Sequence, residues 1–403
     1  MNEKLMKNEK LRNALYLGVL CSIAYFTVYI ARNVLSAVTP AMVENGYNET
    51  YIGSVSSLYL VFYAVGQLVN GFIGDKIKAK YMISFGLALA GVTNLLFPLL
   101  IGSATGAMLV YSLTGFFLSM IYGPMTKVVS ENTTLLYATR CSLGYTFASF
   151  FGSPAAGFLA VFLSWQSVFF VSSAALLVMG VSCLLFFLLF EKKGIVTYGQ
   201  YKPKQKGIGS ISVLFRRQIV KFSFISILTG IVRTSVVFWL PTYISQHLSF
   251  DPKASAVLFS VATLAISLTT FVAVFVYEKL GHNMDKTILL MFSLAALFFF
   301  LTYILDAAAP NLICMVLAIM SSGGAATMLW SRYCPSLYDT GLVSTATGYL
   351  DFLSYTGAAI ANLLFADAIH TIGWGWVILV WCGLMVVGVF ISLPYKKKGG
   401  RSA

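Results

Sequence analysis

Apolar stretches separated by short polar turns recur along almost the whole chain, from Asn13 to Leu393. Each is close to the length of about 20 residues that a helix needs to cross the hydrocarbon core of a bilayer. The pattern therefore predicts twelve membrane-spanning helices. We place them near residues 13–37, 52–73, 81–101, 106–129, 142–163, 166–190, 219–245, 254–277, 286–306, 310–333, 342–369 and 374–394.

One polar segment interrupts this series. Residues 191–218, EKKGIVTYGQYKPKQKGIGSISVLFRRQ, are basic and rich in glycine, and they leave six predicted spans on each side. We predict an N-terminal six-helix bundle over residues 1–190, a cytoplasmic linker over 191–218 and a C-terminal six-helix bundle over 219–403. Two equal sets of spans suggest an internal repeat.

The composition also indicates a membrane protein. Of the 403 residues, 58% are hydrophobic and 10% are charged, with a mean hydropathy of +0.83, so the lipid bilayer is the expected surroundings. The charged lead MNEKLMKNEKLR runs into a full-length span, which predicts a retained first helix and not a cleaved signal peptide.

The net charge of +13 reports topology and does not indicate nucleic-acid binding. Lys and Arg cluster at the N-terminus, at Lys76 to Lys80, at Lys192 to Lys221 and at Lys396 to Arg401, mostly on one side if the spans alternate. The other side receives only Lys253. The positive-inside rule then places both termini and the linker in the cytoplasm, with the protein in the plasma membrane, the inner membrane of a bacterium.

Two intramembrane arginines occupy matching positions in the two halves. Arg32 precedes Pro40 by eight residues in the first span, and Arg233 precedes Pro241 by eight in the seventh, 201 positions later. Such repeats are typical of transporters whose two bundles rock about a site near the bilayer midplane. A guanidinium in hydrocarbon costs at least about 2.5 kcal/mol on insertion scales, so a symmetric pair indicates function.

Two facing guanidiniums would suit an oxyanion. Their planar forks donate paired hydrogen bonds and stay protonated, and a phosphate group with about one to two negative charges balances them better than a monocarboxylate does. We predict that Arg32 and Arg233 bind a small anionic substrate and inorganic phosphate. Snorkelling to the interface, or pairing with an acid inside the bundle, is the structural alternative for each arginine.

Other polar side chains extend the face of the first arginine. Tyr25, Tyr29 and Arg32 are spaced as i, i+4 and i+7 and share one helix face, and Tyr63 and Gln67 are four residues apart in the second span. Packing in the bundle core would explain the tyrosines equally well. Their place beside Arg32 favours a substrate-lining role.

The arrangement of Tyr25, Tyr29, Arg32 and Pro40, followed by NGYNETYIG, resembles the organophosphate:phosphate antiporters of the major facilitator superfamily, which include glycerol-3-phosphate and hexose-phosphate transporters. VRTSVVFWLPTYI is similar to their seventh span, and CPSLYDTGLVSTATGYLDFLSYTGAAIANLL to their tenth-to-eleventh connection and eleventh span. The resemblance implies an all-α membrane protein with the major facilitator fold, in which twelve transmembrane helices form two pseudo-symmetric bundles.

The same resemblance implies that Arg32 and Arg233 form the phosphate clamp and that Tyr25, Tyr29 and Tyr63 line the cavity. The surroundings of this clamp differ from the family pattern at four positions. Glycerol-phosphate carriers have lysine, histidine, lysine and an acid where this chain has Gln67, Ser149, Asn33 and Phe238. These departures leave the particular organophosphate open.

The loop GFIGDKIKAK, residues 71–80, resembles the facilitator signature that follows the second span. Asp75 and Lys76 end that span as Glu278 and Lys279 end the eighth, 203 positions later. We predict a gating role for Asp75 and Lys76, in which the acid meets helix ends and basic residues of a neighbouring span. Ordinary solvated loop charges are the alternative.

The sequence predicts no enzyme and no cofactor. No span or loop assembles a nucleophile with a base, and no glycine-rich phosphate loop with Lys-Ser/Thr occurs, so ATP coupling is not expected. The six cysteines lack metal-ligand spacing, so no metal site is expected either. We expect a monomer.

Three functions remain open from the sequence. The first is exchange of an organophosphate for inorganic phosphate, the second is proton-coupled symport of another organic anion such as a carboxylate or phosphonate, and the third is a sensor that binds without transport. Asp351, on one face of the eleventh span with Ser354 and Tyr355, separates the first two. It either couples a proton to transport or serves as a structural partner of a neighbouring helix.

Overall fold

The computed structural model describes residues 2–74, 77–198, 212–337 and 343–393, and these ranges form helices joined by turns. We number the membrane-crossing helices α1 to α12 in chain order. Eight of them are continuous: α1 (Asn2–Glu44), α2 (Glu49–Gly74), α3 (Ala79–Leu99), α4 (Ala104–Asn132), α6 (Trp165–Lys192), α9 (Met284–Ile304), α11 (Val343–Thr371) and α12 (Gly373–Ser392). The predicted linker falls between α6 and α7, and its residues 199–211 lie outside the described ranges.

The other four helices change geometry along their length, and a short helix, Ser212–Arg216, precedes α7. They are α5 (Leu135–Phe150, then Gly152–Phe162), α7 (Ile219–Gly230, a π-helical turn Ile231–Val236, then Val237–Gln246), α8 (Pro252–Ser267, then Thr269–Lys279) and α10 (Ala308–Met328, a π-helical turn Leu329–Tyr333, then Cys334–Ser336).

Within the described ranges, eleven helices are long and apolar enough to cross a membrane, and the remaining one, α5, is divided into two shorter pieces. The division at Phe151 lies where α5 approaches α1. A Cβ atom added to Gly152 would lie 2.3 Å from the Cβ atom of Tyr29, so only glycine permits this close backbone approach. The fifth predicted span is therefore present but interrupted.

Polar residues in the short turns begin several helices and explain where the apolar runs start. The side chains of Ser103, Ser164, Asp251 and Asn283 each accept a hydrogen bond from a backbone N–H group in the first turn of the helix that follows. This N-cap satisfies a donor that has no partner within the helix.

The two sets of six helices, called here the N half (α1–α6) and the C half (α7–α12), contact each other at the end of the molecule remote from the chain termini. Gln246 donates a hydrogen bond to Glu49 (Nε2 to Oε1, 2.5 Å) at this end. Further in, Ser36 on α1 donates to the backbone oxygen of Phe238 on α7 (2.7 Å). These contacts close the space between the halves at that end.

The contact continues along α2 and α11 as far as the middle of the spans. Ser57 donates to the backbone oxygen of Ala359 (2.6 Å), and the rings of Tyr63 and Tyr355 meet with centroids 4.9 Å apart. The Arg233 side chain is exposed at about this level although Val232 and Ser235 in α7 are buried. The space between the halves is therefore accessible from the side of the chain termini.

Candidate functional site: two arginines between the halves

The site begins on one face of α1. Tyr25 and Tyr29 are one helical turn apart, with ring centroids separated by 5.0 Å, and the Cζ atom of Arg32 lies 5.5 Å from the centroid of the Tyr29 ring. The i, i+4, i+7 spacing thus places the three side chains in contact along one stripe of the helix.

Two further rings enclose the Arg32 guanidinium. Its Cζ atom lies 4.9 Å from the ring centroid of Tyr63 on α2 and 4.9 Å from that of Tyr355 on α11. Both tyrosines are buried. Because Tyr355 belongs to the C half, the ring pair brings the second half of the molecule against Arg32.

Arg233 approaches the same ring from α7. Its Cζ atom lies 5.9 Å from the ring centroid of Tyr355, so the two guanidiniums share one aromatic side chain. Arg233 lies in the π-helical turn Ile231–Val236. Single π-helical turns widen a helix locally and are frequent at functional sites.

The two guanidiniums have N–H donors without hydrogen-bond partners in the described ranges. Arg32 is half-buried and Arg233 is exposed, and neither donates a hydrogen bond to, or forms an ion pair with, any residue in the described ranges. A cation held over an aromatic face gains about 0.5 to 2 kcal/mol, but the in-plane N–H donors stay free. The arrangement presents these donors to an oxyanion between the halves.

One carboxylate lies near the arginines. Asp351, on α11 one turn before Tyr355, is half-buried, and the charges of Arg233 and Arg32 both act on it. It forms no ion pair with either within the described part of the chain. Asp351 therefore offsets part of the positive charge without occupying the guanidinium forks.

A family model described as Major Facilitator Superfamily matches residues 21–362. The chain belongs to the major facilitator superfamily. The fold agrees: a solved structure described as a bacterial homolog to the human lysosomal transporter Spinster, in an inward-facing and unoccupied conformation, has a TM-score of 0.69 with this chain. The two are 12% identical, and the match covers 94% of this chain and 93% of the other. The predicted fold class is confirmed.

Relatives of this facilitator include the transporters that the sequence resemblance indicated. It is 22% identical to a glycerol-3-phosphate transporter of Bacillus subtilis, over 96% of this chain and 93% of the relative. It is 22% identical to the glucose-6-phosphate exchanger SLC37A2 of Danio rerio, over 92% and 87%. It is also 21% identical to the membrane sensor protein UhpC of Escherichia coli, over 93% and 90%. As expected from the sequence, the protein is a multi-pass membrane facilitator and not an enzyme.

Several residues singled out in the sequence, two of them only as departures from the family pattern, do not join the cluster around Tyr355. Gln67 is half-buried, and in the described ranges it has no hydrogen bond or ring contact. Asn33 faces its own helix, where it donates to the backbone oxygen of Tyr29 (2.7 Å). The predicted gating residues Asp75 and Lys76, and the side chain of Ser149, lie outside what the structure describes.

Two tyrosines of the site carry no role in the sequence prediction. The sequence places Tyr355 only on the face of Asp351, whereas in the structure its ring lies against both arginines. Tyr122 on α4, 39% exposed, has its ring centroid 5.4 Å from that of Tyr25. The four-residue spacing from Asp351 is a signal that could have identified Tyr355. Tyr122 has Ser119 and Thr126 at helical spacing but no charged residue, so the sequence gives no comparable signal for it.

Proposed function

We propose that this facilitator carries an organophosphate across the membrane in exchange for inorganic phosphate, with Arg32 and Arg233 as the anion clamp. The observation that supports this most is the pair of guanidiniums over the Tyr355 ring, one from each half, without a carboxylate partner in the described ranges. A tetrahedral oxyanion between them would accept hydrogen bonds from both forks.

The local charge favours phosphate over a monocarboxylate when Asp351 is protonated. The two arginines supply two positive charges, and Asp351 removes one when it is ionised. With Asp351 protonated, a phosphate monoester with about two negative charges neutralises both arginines, whereas a monocarboxylate would leave one buried charge uncompensated once the site closes. With Asp351 ionised, one negative charge on the substrate is sufficient. Tyr25, Tyr29, Tyr63 and Gln67 would line the path of the organic group.

Alternating access follows from the position of the clamp between the halves. The contacts from Glu49 to Tyr63 close one end, and the clamp is reached from the other. Rocking of a bundle over residues 1–190 against one over 219–403, joined by the linker, would open the first end and close the second. With both termini in the cytoplasm of a bacterial inner membrane, the open end of this structure faces inward. Asp75 and Lys76 would then act in gating at that end.

The names of the relatives agree with a phosphorylated substrate, since they include a glycerol-3-phosphate transporter and a glucose-6-phosphate exchanger. Proton-coupled symport of another organic anion is the second candidate. It is favoured by Asp351, a carboxylate inside the clamp region that could take up a proton with the anion. The two candidates differ in substrate and in the role of the proton.

A competition assay tests the substrate class. Purified protein in phosphate-loaded vesicles should take up labelled phosphate, and excess sugar phosphates or glycerol phosphates should inhibit the uptake, because each presents the same oxyanion to the clamp. Dicarboxylates should inhibit weakly. Strong inhibition by dicarboxylates together with none by any phosphate monoester would favour the symport candidate and refute organophosphate transport.

Asp351→Asn separates antiport from proton symport. If Asp351 couples a proton, the variant should retain phosphate exchange at equal pH and lose accumulation driven by an inward proton gradient. If simple antiport is correct, a pH gradient should drive no accumulation in either protein. Uptake should be measured with and without an imposed pH difference, and the variant's elution in size-exclusion chromatography should show that it remains folded.

A further inference from the structure

A buried amide joins the two halves next to the clamp. Asn362 on α11 is fully buried, and its Nδ2 atom donates a hydrogen bond to the Oγ atom of Ser56 on α2 (2.8 Å). Its Oδ1 atom accepts a hydrogen bond from the Oγ atom of Ser235 on α7. Ser56 and Ser235 are buried as well. One side chain therefore bonds α11 to α7 within the C half and to α2 across the interface.

Ser235 connects this amide to the anion clamp. It lies two residues after Arg233 in the same π-helical turn, Ile231–Val236. A turn of this kind replaces the i→i+4 hydrogen bonds of an α-helix with i→i+5 bonds and is frequent at functional sites. The Ser235 hydroxyl ties the turn that carries Arg233 to Asn362, and through Asn362 to the opposite half.

The chemistry of the amide makes the two bonds interdependent. Asn362 has its acceptor and its donors on one rigid plane, so the bond from Ser235 to Oδ1 sets the direction in which Nδ2 points. A buried polar atom without a partner is costly, and in a fully buried position no bulk water replaces a lost bond. Loss of the Ser235 bond should therefore weaken the bond to Ser56.

We propose that Asn362 is a positioning residue that couples the conformation of the Arg233 turn to closure of the contact between α2 and α11. This inference rests on the proposed function, because a bound anion on Arg233 is what would change the conformation of the turn. With the turn in the observed shape, the amide is aimed at Ser56 and the remote end is closed. When the halves part at that end, the bond to Ser56 breaks and the amide is free to reorient.

If Asn362 has only a structural role, the effects of losing its two hydrogen bonds should be independent. Buried polar contacts between helices commonly serve fold specificity, and in that case each bond contributes independently. The interface offers a matched control, because Ser57 also bonds across it, to the backbone oxygen of Ala359 (2.6 Å). That bond closes the same contact but has no connection to the Arg233 turn.

Opening at the remote end is measured with a reporter cysteine at Ser36, which is buried in the contact between α1 and α7. Ser36→Cys protein in vesicles is treated from outside with a membrane-impermeant maleimide. Protein with the native cysteines alone gives the background rate. The variants Ser56→Ala, Ser235→Ala, Ser57→Ala and their pairs are compared in this background, so a failure of Asn362→Ala to fold leaves the test intact.

Ser56→Ala and Ser235→Ala should each raise the labelling rate about fivefold, the effect of losing one buried hydrogen bond. The pair should label no faster than either single variant, since both break the same chain of bonds. Ser57→Ala combined with Ser235→Ala should multiply the two effects. Multiplied effects for Ser56→Ala with Ser235→Ala, or parental labelling of Ser235→Ala, would overturn the coupling.

Inorganic phosphate distinguishes a failure of the coupling from a failure of the proposed function. Phosphate should speed labelling of the reporter protein, because the loaded carrier reorients, and so opens the remote end, more readily than the empty carrier does. Ser235→Ala should reduce this effect of phosphate. Phosphate that speeds labelling of both proteins by the same factor would overturn the coupling. Labelling that ignores phosphate in the reporter protein would count against phosphate as the substrate, while the comparison of Ser56 and Ser235 variants would still decide the coupling.

Discussion

Replacing either Arg32 or Arg233 with lysine is expected to reduce exchange of labelled phosphate to the level of vesicles without protein. Lysine keeps the charge but presents a compact ammonium, so it cannot donate the paired, coplanar hydrogen bonds of a guanidinium. Each charged hydrogen bond contributes about 1.5 to 3 kcal/mol, and about 1.4 kcal/mol corresponds to a tenfold change in affinity. Lysine should also lose part of the stacking on Tyr355, because an ammonium has no planar face.

Arg332→Lys is the matched control. Arg332 also lies in a π-helical turn and also rests on a tyrosine, with its Cζ atom 4.7 Å from the ring centroid of Tyr277, but it belongs to neither face of the clamp. Its replacement should leave exchange within about twofold of the parent, as substitutions at exposed sites usually do. Parental phosphate affinity in either clamp variant, or equal loss in the control, would contradict the assignment.

The fold could be predicted from the sequence because the bilayer constrains the backbone strongly. Each span must satisfy its backbone hydrogen bonds internally, so long apolar runs predict helices with little ambiguity. The matching positions of Arg32 and Arg233 also followed from the sequence, because an internal repeat preserves spacing to a landmark such as Pro40 and Pro241. What the repeat could not supply is how the two halves face each other.

Features that depend on the interface between the halves could not be predicted, because the sequence repeat does not specify how the halves face each other. Tyr355 and Asn362 are ordinary members of an apolar helix in the sequence, and their roles arise from Arg32 and Ser56 across the interface. The interruption of α5 is another case. Its cause is the approach of Gly152 to the backbone of α1, and no local signal distinguishes that glycine from others used for helix packing.

Gln67 and Tyr63 share a helix face in the sequence but make different contacts in the structure. Gln67 was predicted from its four-residue spacing to Tyr63, but a shared helix face does not determine which neighbouring helix that face meets. In the structure the Tyr63 ring contacts Tyr355, whereas Gln67 is half-buried and makes no ring contact in the described ranges. Periodicity predicts a shared face, whereas the contacts made along that face depend on the neighbouring helices.

The second large effect concerns coupling, since the empty clamp should resist closure. Closing the site removes water from two guanidiniums, and transfer of an ion into a low-dielectric interior costs several kcal/mol even after relaxation. Asp351 offsets one of these charges at most. A bound phosphate neutralises the site and removes the cost, so the loaded carrier should reorient much faster than the empty one. This difference produces exchange and suppresses net flux.

The measurement that tests this account most directly is uptake of labelled phosphate into two sets of vesicles that contain the same purified protein, one loaded with unlabelled phosphate and one without phosphate. A difference of about 1.4 kcal/mol between loaded and empty carriers already corresponds to a tenfold ratio. We expect uptake into empty vesicles below about a tenth of that into loaded vesicles. Equal uptake into both sets would contradict obligatory exchange through a two-arginine clamp.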